Sequence, residues 1–262
     1  MIYENTKIGT FLFRPNRFLA HVMLDGRKVV CHVKNTGRLR ELLLPGAPVA
    51  VQFHPDAADT GRKTEYSLIA VRKGDVWVNI DSQAPNQVAY EWLSELAKEH
   101  LTTSIESSSL ADQKSDSADA SQINNSALFL CPKDLRREVR YGQSRFDLAF
   151  VNEADGGKPW LMEVKGVTLD ADGTAMFPDA PTERGVKHLE ELANAVENGF
   201  GAAVLFVIQM KGISAFAPHA ERHPEFAEAL VSAAERGVHV LAYDCIVTEN
   251  SLQIDAPVPV IL

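Results

Sequence analysis

An α+β chain in two parts is what the 262 residues predict: a small all-β domain over residues 1–82, then a mixed-sheet α/β domain over residues 83–262. Three features lead there. Up to residue 80, short apolar runs alternate with tight-turn dipeptides. From residue 137 onward, strand-like and helix-like periods alternate. A stretch rich in Ser, Asp, Gln and Asn at 101–126 separates the two patterns.

In the first part, apolar runs at 11–13 and 18–24 lead to Asp25-Gly26 and then to a run at 28–33. Asp-Gly between apolar runs predicts a hairpin, because both turn positions tolerate positive φ. Further strands are expected at 49–53, 66–72 and 75–79, with Lys73-Gly74 as a second tight turn and one or two helical turns at 37–43. Five or six strands with a short helix after the third fit a small closed barrel of the oligonucleotide-binding (OB) type; a sandwich fragment is the alternative.

The second part opens with a helix at 85–100, whose Val88, Trp92, Leu93 and Leu96 recur at helical spacing. Segment 101–126 has too few large apolar residues to offset its ordering entropy, so it reads as a mobile surface insertion. Strands are expected at 138–141, 145–151, 160–165, 203–209 and 238–245, and helices at Glu183–Glu197 and 224–236. In the first of these helices Leu189, Leu192, Ala193 and Val196 form one apolar face, opposite Arg184, Lys187 and Glu191. Strand–helix alternation with apolar strands predicts a mixed sheet.

Charge is unevenly distributed. Residues 1–90 carry 12 Lys and Arg against 8 Asp and Glu, a net of +4, while the remainder carries 14 against 27, a net of −13. The overall −9 disfavours a protein that coats nucleic acid, yet leaves room for a basic face on the barrel and a carboxylate cluster beyond it. No apolar run approaches the roughly 20 residues of a membrane span. The N-terminus lacks a basic-then-apolar leader, and the three cysteines lie far apart. A reduced cytoplasmic protein with no membrane partner is expected. The glycines form neither GxGxxG nor GxxxxGK[ST].

The chemistry concentrates between residues 145 and 165. Asp147 interrupts an apolar run, Phe146-Asp147-Leu148-Ala149-Phe150, and a turn through Asp155-Gly156-Gly157 returns the chain as Trp160-Leu161-Met162-Glu163-Val164-Lys165. Glu163 and Lys165 share one face of their strand, because side chains alternate with period two. Strands joined by a short turn are neighbours, so Asp147 can approach Glu163. Two carboxylates about 4 Å apart repel by roughly 4 kcal/mol at an effective dielectric of 20, so a proton, Lys165 or a divalent cation must neutralise them. Hard cations such as Mg²⁺ prefer these oxygen ligands and bridge to phosphate, and a neighbouring lysine can assist the attacking water. A plain cross-strand charge pair is the competing reading of Glu-x-Lys.

Longer motifs then point to a family. Asn16-Arg17-Phe18, Cys31-His32-Val33-Lys34-Asn35-Thr36-Gly37-Arg38 and Glu41-Leu42-Leu43-Leu44-Pro45-Gly46 resemble the sugar fermentation stimulation protein A (SfsA) family. So do Ser144-Arg145-Phe146-Asp147, the run from Glu163 to Leu169, and the run from Phe177 to Leu189. The resemblance covers the chain except 101–126, a segment that departs from the compact family pattern. It implies an N-terminal OB barrel, a C-terminal domain like the PD-(D/E)XK nucleases, non-specific DNA binding and a link to the regulation of sugar (maltose) metabolism.

Carried over by motif, Asp147, Glu163 and Lys165 match the nuclease signature, and Glu91 falls where the family places a helix glutamate. The expectation is Mg²⁺ or Mn²⁺ on Asp147 and Glu163, completed by Glu91 or the Val164 carbonyl, with Lys165 assisting water. Arg184 and Lys187, after the Thr182 cap, are expected at the scissile phosphate, a reading the family motif favours over the competing one of an exposed helix end paired Glu183 to Lys187. Arg14, Arg17, Lys34, Asn35, Arg38 and Arg40 can line a phosphate-tracking groove, with Phe13 or Phe18 for base stacking, or form a solvated basic rim. A non-catalytic DNA-binding regulator using the same two domains is the rival function.

Overall fold

The structure, a computed structural model, describes residues 1–35, 37–108 and 129–262, with the side chains of 101–108 left aside. The first six strands are β1 (Thr6–Asn16), β2 (Leu19–Leu24), β3 (Arg27–Val33), β4 (Pro48–Phe53), β5 (Tyr66–Lys73) and β6 (Val76–Asn79). They lie in the order β3-β2-β1-β4-β5-β6, and a parallel pairing of β3 with β5 (Cys31↔Tyr66 to Val33↔Leu68) closes five of them into a barrel. The OB-type barrel is therefore present and the sandwich is not. Asp25 (φ 50°) and Gly26 (φ 77°) form the expected two-residue turn between Leu24 and Arg27.

Two local expectations change. The second tight turn is Gly74-Asp75, because Lys73 still pairs with Val76. Residues 37–43 form no helix: Leu39 has positive φ (49°), and Leu42 and Leu43 both donate back to the Leu39 carbonyl (3.2 and 2.9 Å). The leucine spacing mimics a helix face. Burial of Leu39, Leu42 and Leu43 in the barrel core sets the conformation instead.

Beyond the barrel come α1 (Ala84–Ser108), β7 (Pro132–Tyr141), β8 (Ser144–Asn152), β9 (Lys158–Val167), β10 (Leu169–Ala171) and β11 (Thr174–Phe177). They are followed by α2 (Glu183–Glu197), β12 (Gly201–Ile208), β13 (Ala215–Pro218), α3 (Pro224–Glu235), β14 (His239–Val247) and β15 (Leu252–Pro257). The main sheet is mixed, ordered β15-β14-β12-β9-β8-β7, and β10-β11-β13 form a small second sheet. β12, Gly-Ala-Ala-Val-Leu-Phe-Val-Ile, is buried throughout and runs parallel to both neighbours, as expected of a strand covered on both faces. The short strands β10, β11, β13 and β15 have no counterpart in the expected elements.

α1 runs past residue 100 to Ser108, so 101–108 are helix rather than insertion; 109–126 lie outside the described residues. Polar composition limits burial, but a nucleated helix satisfies its own backbone and can extend beyond its packed part. α1 covers one face of the main sheet through Ala84, Val88, Ala89 and Leu93, packed with Leu148, Phe150, Met162 and Val164. α2 and α3 cover the other face in an apolar cluster continuous with the barrel interior. Thr182 caps α2 as expected, its hydroxyl accepting from Gly185 N (3.1 Å). All three cysteines are free, Cys31 and Cys245 buried.

Barrel and sheet meet at a buried polar junction. Gln209, just after β12, accepts at its carbonyl from Asn79 N (2.9 Å), and its amide donates to the Asn79 side chain (2.9 Å) and the Asp81 carbonyl (3.2 Å). Asp81, fully buried, takes the Lys34 ammonium at 2.7 Å. Ordered on both sides, this junction fixes where the barrel loops lie relative to β9.

Candidate active site

β8 and β9 pair in register from Asn152↔Lys158 to Leu148↔Met162, and the pairing stops there. One step further it would set Asp147 opposite Glu163. At that point the Asp147 carboxylate enters between the strands and accepts the Val164 N–H at 2.8 Å, taking the place of a ladder bond. Its other oxygen accepts from the Asn86 amide of α1 at 2.6 Å. Burial and the charge of Glu163 push the Asp147 carboxyl up to about 6, against the opposing pull of Val164 N–H, Lys165 and Asn86.

Glu163 is buried, 4% exposed. Its Oε1 takes two donors, Lys165 Nζ (2.5 Å) and His188 Nδ1 (2.5 Å). Burial alone would raise this carboxyl, but His188 and Lys165 outweigh it and hold it below the usual glutamate range. Oε2 is buried with no partner. His188 comes from α2, where Gly185, His188, Leu189 and Leu192 make the buried stripe. Arg184 Nε lies 3.2 Å from His188 Nε2. Because Arg can only donate, Nε2 accepts and the ring proton sits on Nδ1, aimed at Glu163.

Asp147, Glu163 and Lys165 are thus brought together, as the spacing predicts. Glu91 is not. Counting about 100° per residue, it lies about 140° around α1 from Asn86, the residue that does face Asp147. The Glu91 carboxylate instead pairs with the Met1 amino group (2.6 Å) and the Gln87 amide (2.6 Å). Among the described residues no group of three or more His, Cys, Asp or Glu side chains is arranged to hold a metal ion. What remains is a two-carboxylate, all-oxygen donor set with one buried, unpartnered oxygen and a net charge of −1 once Lys165 is counted. That set suits a hard divalent cation which keeps several waters and shares substrate phosphate oxygens; it does not suit an ion needing a full protein cage.

The basic residues divide. Arg17, Arg38 and Arg40 line a cleft of about 1140 Å³ at the barrel mouth, facing Asp179, Ala180 and Arg222 of the second part. Phe13 lines it too, 46% exposed and stacked on His21 at 4.4 Å, whereas exposed Phe18 lies outside the lining. Arg14 is at the cleft, but its guanidinium is spent on four backbone carbonyls, those of Arg17, Asn35, Gly37 and Arg38 (2.5–3.2 Å). Lys34 faces the junction and Asp81, and Asn35 Oδ1 accepts from Gly37 N (2.8 Å). Arg184 reaches the site only through His188. Lys187 is exposed, 3.3 Å from Gln143 Oε1 and 3.9 Å from Glu191.

Reading the sequence missed the parts played by Asn86 and His188. The signal was present for His188: a polar residue on the buried stripe of an otherwise apolar helix face needs a polar partner across the packing. For Asn86 nothing in the linear pattern pointed across 61 residues to Asp147.

The family model described as "Sugar fermentation stimulation protein RE domain" matches residues 83–251, and the one described as "SfsA N-terminal OB domain" matches residues 12–80. A "Sugar fermentation stimulation protein homolog" of Desulfitobacterium hafniense (strain Y51) is 45% identical over 253 residues, covering 97% of this chain and 95% of the relative. The homolog of Clostridium beijerinckii is 43% identical over 262 residues, 100% of both. A solved structure of Pyrococcus furiosus SfsA in complex with Ca²⁺ matches with a TM-score of 0.74 at 24% identity, covering 100% of this chain and 98% of that one. At that identity the likeness shows the fold.

Proposed function

The chain belongs to the sugar fermentation stimulation protein (SfsA) family, and from that premise we propose that it binds DNA and hydrolyses phosphodiester bonds at Asp147, Glu163 and Lys165 with Mg²⁺ or Mn²⁺. The observation that carries this reading is the buried, unpartnered Glu163 Oε2 beside a second carboxylate pushed up to about 6. An isolated structural salt bridge has no use for an orphaned carboxylate oxygen, which costs roughly 1–3 kcal/mol when buried unsatisfied. The Ca²⁺ on the Pyrococcus furiosus relative supports the same class of hard cation.

In this reading Lys165 and His188 fill Oε1 and so present Oε2, while Asn86 and the Val164 N–H hold the Asp147 carboxylate in one orientation. A cation held by Asp147 and Glu163 would favour the ionised form of Asp147. A bound divalent cation would polarise the phosphate and acidify a water. The Lys165 ammonium, held on Glu163, would orient that water and offset charge developing on phosphate. Arg17, Arg38 and Arg40 contribute sequence-independent phosphate contacts from the barrel side.

The test is cleavage of labelled single- and double-stranded DNA and RNA with Mg²⁺ or Mn²⁺, comparing the unaltered chain with Asp147→Asn and Lys165→Ala. Metal-dependent cleavage lost in both variants, with folding and binding retained, is the expected result. Retained binding with no cleavage by any form would leave a non-catalytic regulator.

A further inference from the structure

A cavity of about 130 Å³ lies where the barrel meets the second part, apart from the candidate active site: none of Asp147, Glu163, Lys165 or His188 lines it. Its polar lining comes from five places in the chain, and each follows the carboxyl end of a strand. Asn35 follows β3, Ser82 follows β6, Thr168 follows β9, Asp179 follows β11 and Gln209 follows β12. β9 and β12 run parallel. In open α/β sheets, ligands bind outside the carboxyl ends of the strands. Ser82, Gly166 and Asp179 of the lining are exposed, so the space is reachable from solvent.

Gln209 is the informative side chain. It is 2% exposed, and its amide nitrogen is spent on Asn79 Oδ1 (2.9 Å) and the Asp81 carbonyl (3.2 Å). Asn79 Oδ1 also accepts the Asp81 N–H (3.0 Å), so that atom is an acceptor and the Gln209 amide cannot be turned over. Oε1 is thereby fixed on the opposite branch, with no hydrogen-bond partner among the described residues, on a side chain that lines the cavity. A polar atom on so buried a side chain takes its partner from water or from a ligand. Asp179 Oδ2 and Asn35 Oδ1 converge from opposite sides of the junction: a Cβ placed on Gly37 would come within 2.6 Å of the first and 2.9 Å of the second. Asn35 Oδ1 already accepts from Gly37 N, which leaves the Asn35 amide nitrogen as a free donor.

The lining selects the kind of occupant. Asp179 is the one ionised side chain in it, which disfavours an anion. A bare cation fits poorly too, because Leu169, Met176 and Phe177 form an apolar wall and the volume equals roughly four water molecules. Side-chain oxygens outnumber free donors. The matching ligand is neutral, with several O–H donors and some C–H surface. A single hydroxyl would leave most of the oxygens unmet, whereas adjacent hydroxyls meet several at once.

We propose that this cavity binds a small neutral polyol, either a free chain or the hydroxyl edge of a sugar ring, with hydroxyls donating to Gln209 Oε1 and Asp179 and one accepting from the Asn35 amide. Asn35 and Ser82 belong to the barrel, and Thr168, Asp179 and Gln209 to the second part, so the bound polyol ties the two together. The proposal is independent of phosphodiester hydrolysis and of nucleic-acid binding.

The experiment is proton–nitrogen correlation NMR of the full chain, following the side-chain amide signals of Gln209 and Asn35 as erythritol, methyl glucoside, propanol or inorganic phosphate is added. Polyols stabilise any protein by exclusion from its surface, so saturation of these two signals is the readout rather than a melting temperature. Erythritol, methyl glucoside or both are expected to saturate them; erythritol alone identifies a chain polyol and the glucoside alone a ring edge. Thr168→Val, which keeps the shape and removes the hydroxyl, is expected to weaken binding by about two- to tenfold, and Asp179→Ala by more than about tenfold. Asp172→Asn, in the exposed turn between β10 and β11 and outside the lining, is expected to change nothing. Signals unaltered away from the cavity show that each variant folds, and exposed Asp179 keeps the test decisive should Thr168→Val disturb the fold. Shifts that grow with polyol concentration without saturating, as for a cavity holding water only, would overturn the proposal. So would saturation by propanol or phosphate in place of the polyols, or an Asp179→Ala variant that binds them like the parent.

Discussion

Replacing His188 tests whether α2 sets the state of Glu163. His188→Ala removes one of the two donors on Oε1 of a carboxylate that is 4% exposed. A hydrogen bond to a charged group is worth about 1.5–3 kcal/mol, and the lost ring, packed 5.9 Å from Phe146, adds to that. A loss of about 3 kcal/mol, at about 2–4 °C per kcal/mol for a chain of this size, lowers Tm by about 6–12 °C. With His188 gone, Lys165 alone opposes the effect of burial on Glu163, the carboxyl moves up, and Mn²⁺ affinity weakens. His188→Asn, which returns an N–H donor near the Nδ1 position, should recover most of the affinity while recovering less of the stability. Differential scanning fluorimetry in EDTA reads the first effect and isothermal titration with Mn²⁺ the second. A His188→Ala variant that melts with the unaltered protein and binds Mn²⁺ as tightly would refute the assignment of His188 as the positioning residue of Glu163.

Metal affinity should fall below pH 6 by about tenfold per pH unit, because Asp147, raised in the folded chain from 3.8 to about 6, must lose its proton to the incoming cation; calorimetry from pH 5 to 7.5 checks this. In the metal-free protein the same group binds its proton more tightly folded than unfolded. Its contribution to stability is therefore full below about 3.8 and lost as pH rises through about 6, so Asp147→Asn should gain about 2 kcal/mol on the parent between pH 4 and 7 by chemical denaturation. Asp81→Ala strands the Lys34 ammonium at the junction and removes the carboxylate that accepts from Gln83 N; it should cost about 3–5 kcal/mol, and adding Lys34→Met should restore part of the loss in denaturant midpoints. Glu91→Gln should leave Mn²⁺ affinity within about twofold of the parent by calorimetry, since its carboxylate is engaged by the Met1 amino group and the Gln87 amide; a tenfold loss would return it to the metal site.

How much of this was legible depends on the range over which each signal acts. The hairpin at Asp25-Gly26, the span Glu183–Glu197 with its Thr182 cap and the apolar strand at 203–209 follow from turn stereochemistry, capping and hydrophobic period, which act within a dozen residues. So does the shared face of Glu163 and Lys165, fixed by the two-residue repeat of a strand. Long motifs extended that reading to the family.

What the linear chain leaves open is decided by contacts between distant segments. Nothing local distinguishes Glu91 from Asn86 as the α1 residue facing Asp147; the rotational setting of that helix on the sheet, fixed by Val88, Ala89 and Leu93, decides it. Arg14 and Lys34 read as groove cations until the folded barrel supplies them with four carbonyls and a buried carboxylate. Likewise His188 acquires its partner only when α2 packs over β9. A charged side chain is free in sequence and bound in structure wherever burial makes an unpaired charge too costly to keep, and the identity of its partner is a property of the packing alone.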